Sequence, residues 1–143
     1  MSKIIGYTTG VYDMFHIGHL NLLKRAKENC DHLVVGVTSD SLAFSLKSKA
    51  PIIPFCERRE IISSLRFVDE VLEEFVDNKL LAWESIHFNR IFKGSDWEGT
   101  PKWKDYEKKF ARLGVEVIYL PYTNHISSSA LRKRMELTQK AND

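Results

Sequence analysis

Short apolar runs alternate with helix-length amphipathic stretches from one end of the chain to the other. "KIIGYTTGV" reads as a buried strand, and residues 17–29 as a helix in which Leu20, Leu23 and Ala26–Lys27 track one side. "HLVVGVT" is continuously apolar, as expected for a strand of a parallel sheet covered on both faces. Residues 39–49 are mixed and carry two lysines, which fits a loop or a short helix. "PFCERREIISSLR" opens a helix at Pro54, "VDEVLEE" is a short strand, "KLLAWESIHF" a helix, and "RIFKGSD" a strand ending in a glycine turn. "KWKDYEKKFARLG" is a helix stopped by Gly114, "VEVIYLP" the fifth strand, and "SSSALRKRMELTQK" the closing helix.

Strands separated by helices predict an α/β fold: a doubly wound, five-stranded parallel sheet, here one domain over residues 1–143 with no repeat or linker. Such sheets bind ligands beyond the carboxyl ends of their strands, at a topological switch point. The segments that follow the first, second, fourth and fifth strands are 10–19, 39–49, 94–99 and 122–129, and all fall on that edge. The unusual residues of the chain are concentrated in them.

Composition narrows the partner. The chain has 143 residues, enough for one sizeable core, with 43% hydrophobic and 28% charged residues. Lys+Arg 21 against Asp+Glu 19 leaves a net charge of +2, too balanced for a nucleic acid or an anionic membrane to be the main partner. Positive potential is therefore expected to be local, as in a pocket for a small anion. No apolar run approaches the ~20 residues of a membrane span. "MSKIIGYTTG" lacks the apolar core of a signal peptide, so a cytoplasmic location is expected. Cys30 and Cys56 have no CxxC spacing, and neither a zinc site nor a disulfide framework is indicated.

The most unusual element is "HIGH". His16 and His19 are three apart, so a helical turn sets both imidazoles on one side, and Gly18 between them lets a ligand approach the backbone. The helix start adds free N–H groups and a positive dipole end, suited to phosphate. A histidine pair in this place can be an incidental cap, a metal grip or a hand for phosphate. A metal site needs further ligands and only Asp13 is near, so none is expected on the protein itself. Ser127 can cap the last helix, with the hydroxyls of Ser128 and Ser129 beside free N–H groups. Gly94 permits close backbone approach, and Asp96 with Trp97 can shape a pocket.

"YTTGVYDMFHIGHLNLLKRAKE" resembles the signature of the cytidylyltransferase family of small nucleotidyltransferases. Its HxGH element is shared with a wider superfamily that includes class I aminoacyl-tRNA synthetases. The resemblance continues in order through "KSKAPIIPFCERREII", "LRFVDEV", "GSDWEGTPKW" and "YTNHISSSALR", covering nearly the whole chain. It implies a Rossmann-like HxGH nucleotidyltransferase fold and an enzyme joining CTP and glycerol 3-phosphate into CDP-glycerol and pyrophosphate, for a glycerol-phosphate wall or capsule polymer. Mg²⁺ would accompany the triphosphate, and a homodimer would form through "RFVDEV", where Arg66 serves the interface or an internal ion pair.

Such chemistry is intelligible from charge alone. A phosphomonoester has its second pKa near ~6, so the acceptor is already largely dianionic at neutral pH and needs no general base. The protein must hold two anions together and stabilise charge on the α-phosphate and the leaving pyrophosphate. On this resemblance His16, His19 and Lys47 are catalytic, the histidines donating to phosphate oxygens rather than shuttling protons. The implied nucleotide site comprises Gly10, Val11, Tyr12, Asp13, His16, Gly18, His19, Lys49, Arg58, Gly94, Asp96, Tyr122, Thr123, His125, Ile126, Ser127, Ser128 and Ser129. The implied acceptor site comprises Lys47, Lys79, Ser95 and Trp97.

Four positions depart from the family pattern. Val11 stands where a threonine is usual, Ser95 where an aspartate is, Tyr122 where an arginine is and His125 where a glycine is. The departures bear most on the acceptor, and leave room for another phosphorylated acceptor (ribitol phosphate, phosphoethanolamine, phosphocholine or a sugar phosphate) or for ATP in place of CTP. A non-catalytic nucleotide-binding domain is the contrasting class, and retention of both histidines, both loop lysines and the serine run speaks against it. A tRNA-charging enzyme is not expected from a chain of this length without a basic face.

Overall fold

In a computed structural model, which describes residues 3–122 and 128–142, the predicted alternation folds into one five-stranded sheet, every pairing parallel. The elements run β1 (Ile5–Gly10), α1 (Ile17–Glu28), β2 (His32–Thr38), α2 (Asp40–Lys47), α3 (Phe55–Ser63), β3 (Glu70–Glu74), α4 (Lys79–Ile86), β4 (Arg90–Gly94), α5 (Pro101–Arg112), β5 (Glu116–Leu120) and α6 (Ser128–Asn142). A 3₁₀ turn, Ser95–Trp97, follows β4. The mixed segment after β2 proves helical because Ser39 caps it, its side chain accepting the Leu42 N–H at 3.1 Å.

Strand order is β3-β2-β1-β4-β5. The chain winds outward from β1 to β3, then returns to lay β4 on the other side of β1, which makes the β1/β4 edge the switch point. Alternating side chains supply two cores. Leu33, Val35, Val37 and Phe92 pack with Leu23 and Ala26 of α1 and Ile62 of α3. Tyr7, Val34 and Ile91 pack on the opposite face with Trp103, Tyr106 and Phe110 of α5. β2 is buried from Leu33 to Thr38, the consequence of cover on both faces. Among the described residues no helix is long and apolar enough to cross a membrane.

Candidate functional site

The loops at the carboxyl ends of the strands enclose a cavity of about 810 Å³. It receives Gly10, Val11, Tyr12, Asp13, His16, Gly18 and His19 from the β1–α1 region, Lys47 and Lys49 from the end of α2 and beyond, and Gly94, Asp96 and Trp97 after β4. Tyr122, Ser128 and Ser129 complete the set. Thr123, His125, Ile126 and Ser127 lie outside the described residues.

The two histidines are built into the start of α1. His16 is its N-cap: Nδ1 accepts the Gly18 N–H at 3.0 Å, while the His16 N–H donates to His19 Nδ1 at 3.2 Å. This is the reciprocal geometry of a capping box, made with imidazoles in place of a hydroxyl and a carboxylate. Because each Nδ1 accepts, the neutral ring carries its hydrogen on Nε2. Burial lowers the pKa of His16. Burial foremost, then the charges of His16 and Lys47 against the opposing Asp13, pushes His19 down to about 3. Both rings are therefore neutral donors at physiological pH. His16 Nε2 is buried and has no hydrogen-bond partner among the described residues, a donor held ready at the cavity wall.

The turn before them is strained. Tyr12 and Met14 adopt positive φ, 55° and 49°, on either side of Asp13. Gly10 lies under the Tyr12 ring, where a Cβ would come within 2.8 Å of it. Asp13 lines the cavity, but its carboxylate is engaged by donors of the protein itself. It accepts the Ile52 and Ile53 N–H groups at 2.8 Å each and pairs with Arg132 Nη2 at 2.5 Å. Burial alone would raise its pKa, but these donors outweigh burial and hold it below the usual carboxylate range. Ser128 Oγ donates to the Asp13 carbonyl at 2.5 Å, so α6 and the segment after Lys49 are both fastened to one turn.

Three expected ligand residues lie elsewhere. Arg58 is 1% exposed and does not line the cavity. Its Nε donates to the Ile53 carbonyl, Nη1 to those of Val11 and Thr38, and Nη2 to Asp40 Oδ1 at 2.6 Å. The guanidinium is a buried knot between the first two strand ends, and its donors are already engaged. Lys79 is also buried and off the cavity wall, with Nζ 2.5 Å from Glu74 Oε2 and 3.3 Å from Asp77 Oδ1. Ser95 sits on the exposed side of the 3₁₀ turn, outside the lining. Arg66 is exposed.

The cavity also contains residues that sequence reasoning did not single out. Arg132, Lys133 and Glu136 face it from α6, and Lys93 from the end of β4. Arg132 follows Ser128 by four, a helical spacing that sets both on one side and was open to reading. Burial is the largest influence on Lys93 and pulls its pKa to about 8, Lys79 and Lys102 acting with it and Glu74 and Asp96 against.

A family model described as cytidylyltransferase-like matches residues 7–134. The chain is 34% identical over 136 residues to a glycerol-3-phosphate cytidylyltransferase of Bacillus spizizenii, spanning 94% of this chain and 98% of that protein. It is 33% identical over 141 residues to an FAD synthase of Thermococcus sibiricus, spanning 96% and 92% respectively. Among solved structures, a lipopolysaccharide core biosynthesis protein from Thermoplasma volcanium superposes with a TM-score of 0.72 at 28% identity, over 87% of this chain and 100% of that one.

Proposed function

The chain belongs to the cytidylyltransferase-like family, and from that premise we propose that it transfers the cytidylyl group of CTP to glycerol 3-phosphate, forming CDP-glycerol and pyrophosphate. The observation that carries the reading is the partnerless Nε2 of His16, buried at the wall of a cavity that also collects His19, Lys47, Lys49, Ser128 and Ser129. Such a donor costs free energy unless a ligand oxygen meets it.

The triphosphate lies at the N-termini of α1 and α6, where unpaired N–H groups and dipole ends favour anions. A phosphate oxygen of the acceptor attacks the α-phosphorus. As that bond forms, the bond from the α-phosphorus to the oxygen bridging it to the β-phosphorus breaks, and pyrophosphate leaves with the electron pair. His16 and His19 donate hydrogen bonds through Nε2–H to oxygens that gain charge, and being neutral imidazoles they are too weakly acidic to transfer that proton. Lys47 and Lys49, which line the same cavity, supply positive charge. Lys133 also lines the cavity and adds positive charge to a site where Tyr122 stands in place of the arginine usual in the family.

Mg²⁺ fits as a companion of the triphosphate rather than a resident of the protein. Among the described residues no three His, Cys, Asp or Glu side chains are grouped to hold a metal. Asp13 is engaged, which leaves Asp96 and Glu136 as cavity carboxylates able to contribute an oxygen. When bound with the nucleotide, the ion neutralises charge on the triphosphate oxygens. We place the enzyme in the cytoplasm, where CTP is available, as a homodimer joined through residues 66–71 near the β3 edge.

Pyrophosphate release tests the reading, crossing CTP and ATP with glycerol 3-phosphate, ribitol 5-phosphate, phosphocholine and phosphoethanolamine. Release is expected with CTP and glycerol 3-phosphate. Release with ATP alone among the nucleotides would overturn the choice of base, for which the FAD synthase relative is the precedent.

A further inference from the structure

Lys93 leaves the carboxyl end of β4 in alternation with Phe92, and so points to the same sheet face as Ile91 and α5. Its Nζ lies 4.8 Å from the centre of the Trp97 ring and 5.7 Å from that of Trp103. Two indoles therefore hold the ammonium by their faces. Neighbouring lysines are neutralised by carboxylates: Lys79 by Glu74 and Asp77, Lys102 by Asp77. Among the described residues Lys93 has no such partner, and it lines the cavity. Trp103 is buried while Trp97 is 41% exposed, so the aromatic cradle is closed behind the ammonium and open toward the site.

The geometry gives the cavity two cationic or donor poles on opposite faces of the sheet. His16 and His19 belong to α1, which packs on the face of Leu33 and Phe92, and Lys93 approaches from the face of Ile91 and Trp103. A reaction between two anions needs such a division, one pole for each. We infer that Lys93 binds the phosphate of the acceptor, presenting to the cavity the charge that the family resemblance assigns to Lys79. The inference rests on the nucleotidyl-transfer reading above. Lys79, neutralised by Glu74, stands behind it.

The test is Lys93→Met, which keeps an unbranched stem against the two indoles and removes the charge, with thermal unfolding to verify that the fold is intact. The KM for glycerol 3-phosphate is expected to rise at least tenfold while the KM for CTP stays within twofold. Because Trp97 and Trp103 flank the ammonium, tryptophan fluorescence provides a second readout that does not depend on turnover. Glycerol 3-phosphate and inorganic phosphate are each titrated into wild type and variant, without nucleotide and with CMP bound. A saturable response in the wild type, lost in the variant, supports the site even if no acceptor turns over, in which case the substrate assignment alone has failed. An unchanged acceptor KM, a rise confined to CTP, or the same fluorescence response in both proteins would overturn the inference.

Discussion

The imidazoles of His16 and His19 stack with centroids 3.8 Å apart and planes 22° from parallel. The stack is held at both ends by the backbone of the turn that it caps, since His16 Nδ1 takes the Gly18 N–H and His19 Nδ1 takes the His16 N–H. Structure and chemistry are thereby divided between the two nitrogens of each ring. Nδ1 builds the helix start, and on the proposed reading Nε2 is the donor left for a ligand, as the buried, partnerless Nε2 of His16 suggests. This division can be probed one nitrogen at a time.

His16→Asn keeps an N-cap acceptor and removes the Nε2–H, whereas His16→Ala removes both. Asparagine at this position is expected to leave the unfolding midpoint nearly unchanged and to lower kcat by about 10²–10³, as for loss of one preorganised transition-state donor. Alanine should lower kcat by the same factor and in addition reduce stability by about 0.5–2 kcal/mol. Equal stability losses in the two variants, measured by urea unfolding, would dissolve the division.

The depressed pKa of His19 makes a signed statement about stability. Burial above all holds it at about 3 in the folded chain, against the ordinary imidazole value of 6.5. Between these values the unfolded chain binds a proton that the folded chain refuses, so stability is full above pH about 6.5 and falls as pH drops through that window. His16, shifted in the same direction, adds to the effect. The thermal midpoint should decline from pH 7 to pH 5, before the paired carboxylates begin to titrate, and His19→Asn should flatten that slope. A slope identical in the variant would contradict the assignment.

Asp13 fastens two parts of the site to one turn through Ile52, Ile53 and Arg132. Asp13→Ala leaves those donors buried or unpaired, and a loss of about 2–4 kcal/mol in urea unfolding is expected. The KM values for nucleotide and acceptor should rise together, because the Lys49 side and the α6 side lose the same anchor. A rise for nucleotide alone would instead mark the carboxylate as a direct nucleotide contact.

Arg58 provides the contrasting case, an arginine near the ligand edge that acts on the fold. Arg58→Lys cannot reach the carbonyls of Val11, Ile53 and Thr38 together with Asp40, because a point-like ammonium replaces a planar fork. It should lower stability by about 3–5 kcal/mol, while KM for CTP measured well below the unfolding midpoint stays near the wild-type value. A raised KM with unaltered stability would restore Arg58 to the phosphates.

The local pattern carried most of the fold because the strands announce themselves. β2 is apolar from Leu33 to Val37, and its predicted limits coincide with His32–Thr38. Pro54 at the start of α3 and the stop at Gly114 are equally local signals, whereas the cap that makes residues 40–47 helical, Ser39, was not read from the sequence. Side-chain direction was less legible wherever it depends on distant partners. Nothing near Arg58 in sequence shows that the Val11 and Thr38 carbonyls will converge on it, because that follows from parallel pairing of β1 with β2. Lys79 and Lys93 look alike as lysines beside strands, and only the tertiary positions of Glu74 and Trp103 separate the neutralised one from the one at the cavity.

The measurement that tests the account most directly is ³¹P NMR of CTP and glycerol 3-phosphate incubated with wild-type protein and Mg²⁺, beside His16→Asn under the same conditions. The account predicts that the wild type converts the triphosphate signals into those of a diphosphodiester and inorganic pyrophosphate in equal amounts, and that the variant does so at least a hundredfold more slowly. Free CMP in place of the diphosphodiester, an unchanged spectrum from protein that still binds CTP, or equal rates in the two proteins would contradict it.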